Sequence, residues 1–151
     1  MSDARASADI SAPADKIWTL VSDLPRMGEW SPENTGGKWL GGASGPAVGA
    51  RFRGSNRKGL RRWSTTCTVT EADAGKKFAF DVAYGPVAIS TWEYTLSTNG
   101  NGTTVVEEWS DRRPAWMKIA AIPVMGVADR AEHNRRGMEK TLDRLKAAAE
   151  S

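Results

Sequence analysis

Four polar side chains fall where strand alternation or helical spacing also places apolar ones: Tyr84, Tyr94, Glu107 and Asn134. Acid/base chemistry needs a donor or acceptor held within hydrogen-bond reach of a bound molecule. These four are the chain's candidates for that work. A carboxyl group in an apolar setting holds its proton more tightly than in water, which suits proton transfer. Glu107 shares a strand face with Val105, Trp109 and Asp111. The opposite register points Val106 and Glu108 inward and leaves Glu107 in water, and the sequence accommodates both. Asn134 lies on a helical stripe with Ala131 and Met138, so its amide faces the sheet and needs a partner there. Trp92 and Tyr94 share a face with Ser90, and Tyr84 ends the face of Phe78, Phe80 and Val82. With Trp63, Phe80, Trp109 and Met138, these residues describe an apolar chamber holding a few hydrogen-bonding groups, as ligand pockets do. The alternative is a packed core whose tyrosines bond to backbone.

Other chemistries lack their residues. One histidine excludes an HExxH pair and any multi-histidine metal site. No GxGxxG follows a strand, and there is no GxxxxGK[ST] loop or GxSxG elbow. No metal or cofactor is expected. A Ser-His-Asp triad would need His133, which reads as a surface residue of the last helix, beside Arg135 and Arg136. Cys67 faces inward with Trp63, Thr65 and Val69 and reads as a small hydrophobe without a base.

The elements that must position these groups follow from periodicity. Residues 4–12 alternate as a strand. "APADKIWTLVSDL" turns to helical spacing, with Pro13 suited to a first turn and Pro25 ending it. "RMGEW" adds one more turn. Strands are expected at 38–42, 50–57, 61–71, 76–84, 87–97 and 103–113. "TNGNG" is a hairpin turn, because Asn and Gly tolerate positive φ. A long helix is expected over 127–149, with Val127, Ala131, Met138, Leu142 and Leu145 on one stripe. A strand, two short helices, about six strands and a long helix make an α+β layout.

The 151 residues suit one domain over 1–151. No apolar run approaches the ~20 residues that span a bilayer. The opening five residues have no apolar core, so no secretory signal is expected. One cysteine and no internal disulfide suit a cytoplasmic protein. The seven tryptophans mean either a thick core or an aromatic-lined cavity.

The order of elements resembles the helix-grip fold of the START-like superfamily, also called SRPBCC, over nearly the whole chain. "ISAPADKIWTLVSDLPRMGEWSP" and "HNRRGMEKTLDRLKAAAE" carry the likeness. Locally the chain is most similar to the bacterial polyketide cyclase/dehydrase-like group. The resemblance implies a curved antiparallel sheet of about seven strands wrapped around a long C-terminal helix, with two short helices after strand one. It also implies a cavity between sheet and helix for a small apolar ligand. In that frame "GEWSPE" joins the short helices to strand two. Trp30 packs under the sheet, or Glu29 or Glu33 serves as an acid at the cavity mouth.

Three functions remain open. The chain binds or carries a small hydrophobic molecule such as a lipid, isoprenoid or polyketide. Or it is a polyketide cyclase or aromatase-like enzyme. Or it binds a partner protein and its cavity is vestigial. The binding reading leads, because no complete catalytic set is visible. Arg51, Arg53, Arg57, Lys58, Arg61 and Arg62 form a solvated hairpin or a patch for anionic headgroups at a membrane surface. No nucleic-acid-reading motif accompanies them. "PAWMKIAAIPVMG" (114–126) is core if buried, and a lid or docking patch if exposed. The chain is expected to be a monomer or homodimer.

Overall fold

Alternation in the sequence becomes one sheet. The computed structural model describes residues 2–32, 34–116 and 130–151. Its strands are β1 (Ala4–Ile10), β2 (Asn34–Trp39), β3 (Arg51–Lys58), β4 (Arg61–Asp73), β5 (Lys77–Tyr84), β6 (Val87–Asn99) and β7 (Gly102–Asp111). They are ordered β1-β7-β6-β5-β4-β3-β2, and every pair is antiparallel. Helix α1 (Ala14–Ser22) and a 3-10 helix (Leu24–Glu29) lie between β1 and β2, and α2 (Arg130–Glu150) follows β7. This is the curved sheet, helix pair and long helix of the helix-grip fold.

One face of the sheet is apolar and meets the helices. Phe52, Val69, Phe78 and Val105 from the strands bury with Ile17, Val21 and Leu24 around α1, and with Leu142 and Leu145 of α2. Burying such a side chain fully contributes about 1.5–3 kcal/mol. Trp18 closes one edge: its ring meets Phe78 edge-on at 6.3 Å, and its indole donates to the Lys77 carbonyl at 3.0 Å. The leftover N–H of a half-buried indole is thereby satisfied.

Three register slips interrupt the sheet. Thr35 of β2 is passed over between Asn34↔Asn56 and Gly36↔Ser55. Thr70 of β4 is unpaired between Val69↔Phe80 and Glu71↔Ala79. Ile89 of β6 is passed over between Ser90↔Val82 and Ala88↔Ala83. Such bulges kink a strand and increase its twist.

Strand two corrects one expectation. It runs over Asn34–Trp39 rather than 38–42, because Gly36 and Gly37 pair with Ser55 and Gly54 through backbone alone. A Cβ on Gly37 would lie 2.0 Å from the Arg53 carbonyl oxygen and 2.7 Å from the Phe52 ring. Only glycine permits that approach. Residues 117–129 and Glu33 lie outside the described residues, and with them most of the expected lid, the first turn of the expected 127–149 helix, and the Glu33 reading. Trp116, just before, is 64% exposed. Among the described residues no helix is long and apolar enough to cross a membrane.

Candidate functional site

The two halves of α2 do different work. Leu142, Leu145 and Ala149 are buried in the core. Asn134, Gly137, Met138 and Thr141 instead roof a cavity of about 530 Å³ whose floor is the inner face of the sheet. That volume is in the usual range for small-molecule sites. β4 lends it Trp63, Thr65 and Cys67. β5 lends Phe80 and Val82, β6 lends Ile89, Ser90, Trp92 and Tyr94, and β7 lends Glu107 and Trp109.

The register of β7 is Val105–Glu107–Trp109 inward. Glu107 pairs with Tyr94 across β6 and with Ala6 of β1. Its outward neighbour Glu108 stands opposite Glu93 and is ion-paired with Arg5 at 3.3 Å. Glu107 is only 2% exposed, and the Tyr94 hydroxyl donates to its Oε2 at 2.9 Å. Its Oε1 is buried with no hydrogen-bond partner among the described residues. Burial pushes the Glu107 carboxyl up to about 8, and the bond from Tyr94 pulls the other way. Near neutral pH the group is therefore mostly a carboxylic acid, with a proton to donate from Oε1. The Tyr94 hydroxyl is held well above its ordinary value by burial, and then by Glu107 beside it. It remains a donor throughout.

Eight of the nine expected site residues surround this cavity: Trp63, Phe80, Trp92, Tyr94, Glu107, Trp109, Asn134 and Met138. Trp92 and Trp109 lean together with ring centroids 6.5 Å apart. Met138 packs in one cluster with Trp109 and Ala4. Tyr84 is the exception and corrects the expectation. It keeps the inward parity of β5 but is 55% exposed, at the last residue of the strand and beside the turn to Val87, away from the chamber.

One further reading changes, that of Glu29. His133 is half-buried and lines the chamber as well. Glu29 is not a mouth acid: it takes two bonds from Arg26, at 2.7 and 3.1 Å, and faces water. Trp30 is buried as the packing alternative required, with Arg26 over its ring at 5.4 Å. The same stretch nonetheless reaches the site through Met27, Ser31, Pro32 and Asn34. Of the six hairpin cations, Arg57 and Lys58 line the chamber, and Arg51 and Arg53 share with Arg57 the exposed, outward-facing positions of β3. Cys67 is buried, and burial pushes its thiol up to about 12.

The model of the family described as "Polyketide cyclase / dehydrase and lipid transport" matches residues 1–150. The chain belongs to that family. No curated protein matches it in sequence. Among solved structures, the polyketide cyclase-like protein Cgl2372 of Corynebacterium glutamicum is 28% identical, with a TM-score of 0.60 over 99% of this chain and 90% of that one. Protein CV1439 of Chromobacterium violaceum shares the fold at 16% identity and a TM-score of 0.73, over 97% and 96%. The di-domain aromatase/cyclase StfQ of the steffimycin biosynthetic pathway matches at 16% identity and 0.69, and this chain spans 44% of its length. What this chain shares with these structures is the fold.

Proposed function

We propose that this protein binds a small, mainly apolar molecule in the chamber and holds one hydrogen-bond acceptor of that molecule against Glu107. The observation that carries this is the Glu107 Oε1 atom, buried on the chamber wall with no partner among the described residues. An unpaired buried carboxyl oxygen costs on the order of 1–3 kcal/mol, which a ligand's polar group would recover. Trp63, Trp92, Trp109 and Phe80 supply the apolar wall. The family description and the cyclase relatives support a small hydrophobic ligand of lipid or polyketide type.

The test is native mass spectrometry of gently purified protein, with solvent extraction of whatever is bound. An adduct that survives desalting and is weakened in Glu107→Leu is expected. A bare mass, together with no binding of any apolar probe, would refute the reading.

A second reading is favoured by one observation. A carboxyl pushed up to about 8 beside a cavity is poised for proton transfer at neutral pH. In that reading the protein is a cyclase-like enzyme. The chamber folds a carbonyl-bearing chain so that an enol carbon of that chain bonds to one of its carbonyl carbons; the C=O π bond breaks, its oxygen takes the Glu107 proton, and the enol O–H proton passes back to the Glu107 carboxylate as that oxygen becomes a carbonyl. Glu107→Gln separates the two readings. It retains most binding if the group only anchors, and it abolishes turnover of a cyclisable polyketide analogue if the group transfers protons.

A further inference from the structure

We infer that the ligand is an amphiphile with an anionic end, and that this end sits between the β3–β4 hairpin and α2. The inference rests on the binding reading above. The chamber is lined by five cationic side chains, Arg57 and Lys58 from the hairpin, Arg113 beyond β7, and Arg136 and Lys140 from α2. Arg113 is neutralised by Asp111, which accepts from its Nε at 2.9 Å and its second nitrogen at 2.7 Å. Arg136 shares Glu132 with Arg135. Arg57 donates, among the described residues, to the neutral carbonyl of Gly59. Among the described residues, Arg57, Lys58 and Lys140 have no carboxylate within ion-pair distance.

These three cations line one chamber from two separate elements. The carboxyl group lining the same space, Glu107, is buried and mostly neutral. A cleft lined by one sign of charge focuses the field and concentrates a counter-charge. Lysine stems extend an apolar wall while their ammonium groups stay at the water. The chamber is thus apolar with one neutral acid at its buried end, and cationic at its exposed end. The matching molecule has an apolar body, an acceptor at its inner end, and a carboxylate or phosphate at its outer end.

The experiment titrates the protein near neutral pH with decanoate, decyl phosphate and decanol, read by tryptophan fluorescence and calorimetry. Either anion is expected to bind about tenfold tighter than decanol, about 1.4 kcal/mol. The order of the two anions tells carboxylate from phosphate. Raising the salt should weaken the anions and leave decanol unchanged. In the Lys58→Ala/Lys140→Ala double variant the anions' advantage should vanish while decanol binding persists. Equal binding of decanol and the anions would overturn the inference and leave the binding reading standing, as would an advantage indifferent to salt and to both lysines. Failure of all three probes to bind would overturn both.

Discussion

The Tyr94 hydroxyl donates to Glu107 Oε2 at 2.9 Å inside a buried wall where, among the described residues, no charge compensates the carboxylate. One bond satisfies one oxygen. The geometry therefore favours the protonated acid over the ion, with Tyr94 donating to Glu107 and the other Glu107 oxygen left without a partner among the described residues. An apolar cavity with a neutral acid in its wall discriminates among ligands by where they carry an acceptor.

Stability should depend on pH through this group. The Glu107 carboxyl lies at about 8 in the folded chain against 4.5 as its ordinary value. Folding therefore takes up a proton between those values. The resulting stabilisation is full below pH 4.5, shrinks as pH rises, and is gone above about pH 8, for a total on the order of 5 kcal/mol. Glu107→Gln has no such proton. Comparing denaturant midpoints across that range, wild type should lose stability steadily relative to Glu107→Gln as pH increases. Parallel pH profiles for the two proteins would contradict the buried neutral acid.

Removing the donor should act on both the fold and the acid. Tyr94→Phe keeps the ring, which is 4% exposed, and deletes the one bond Glu107 receives among the described residues. A loss of about 1–3 kcal/mol is expected from leaving a second buried oxygen unpaired. The Glu107 carboxyl should also titrate still higher, since the tyrosine bond holds it down. Carbon-13 NMR of the glutamate side chains measures the second effect directly.

The sequence carried the frame of the site and most of its lining, and the physical reason is alternation. Trp63, Thr65 and Cys67, or Trp92 and Tyr94, stand on one face because side chains in a strand alternate with period two. "VVEEW" was ambiguous because Val105 and Glu107 are mirrored by Val106 and Glu108. Trp109 breaks the tie, as do Arg5 and Glu93 flanking Glu108 on the outer face. Tyr84 misled because parity says which face a residue is on, and nothing about where the neighbouring elements stop. His133 and Lys140 were missed because the chamber is wider than the apolar stripe of α2. Arg57 and Lys58 line the chamber from the end of a strand whose neighbours carry register slips. The sheet's bulges at Thr70 and Ile89 leave no clear mark in composition.

Gly37 should be the least replaceable glycine of the lip. Its φ of +156° and the 2.0 Å approach of a Cβ to the Arg53 carbonyl would force β2 off β3. Gly41 makes the control: it has φ +58° and nothing within 4 Å of an added Cβ. Gly41→Ala should cost about 1–2 kcal/mol from left-handed backbone alone. Gly37→Ala should cost clearly more, and it should also disturb the Trp39–Phe52 edge contact at 5.4 Å, visible in near-ultraviolet circular dichroism. Equal melting temperatures for the two variants would refute the close approach.

Cys67 should report on the chamber without taking part in its chemistry. The thiol is buried, and burial pushes it up to about 12, so almost no thiolate exists at pH 8. The thiolate is the reactive form. An aromatic disulfide reagent should therefore label the native protein far more slowly than the urea-unfolded chain. Because Cys67 lines the chamber wall, a bound apolar molecule should slow native labelling further. A Cys67→Ser variant should keep whatever activity or binding the wild type has, with a stability loss of about 1–3 kcal/mol from burying a hydroxyl in place of a thiol. Rapid native labelling, or loss of function in Cys67→Ser at unchanged fold, would instead make the thiol a reactive group of the site.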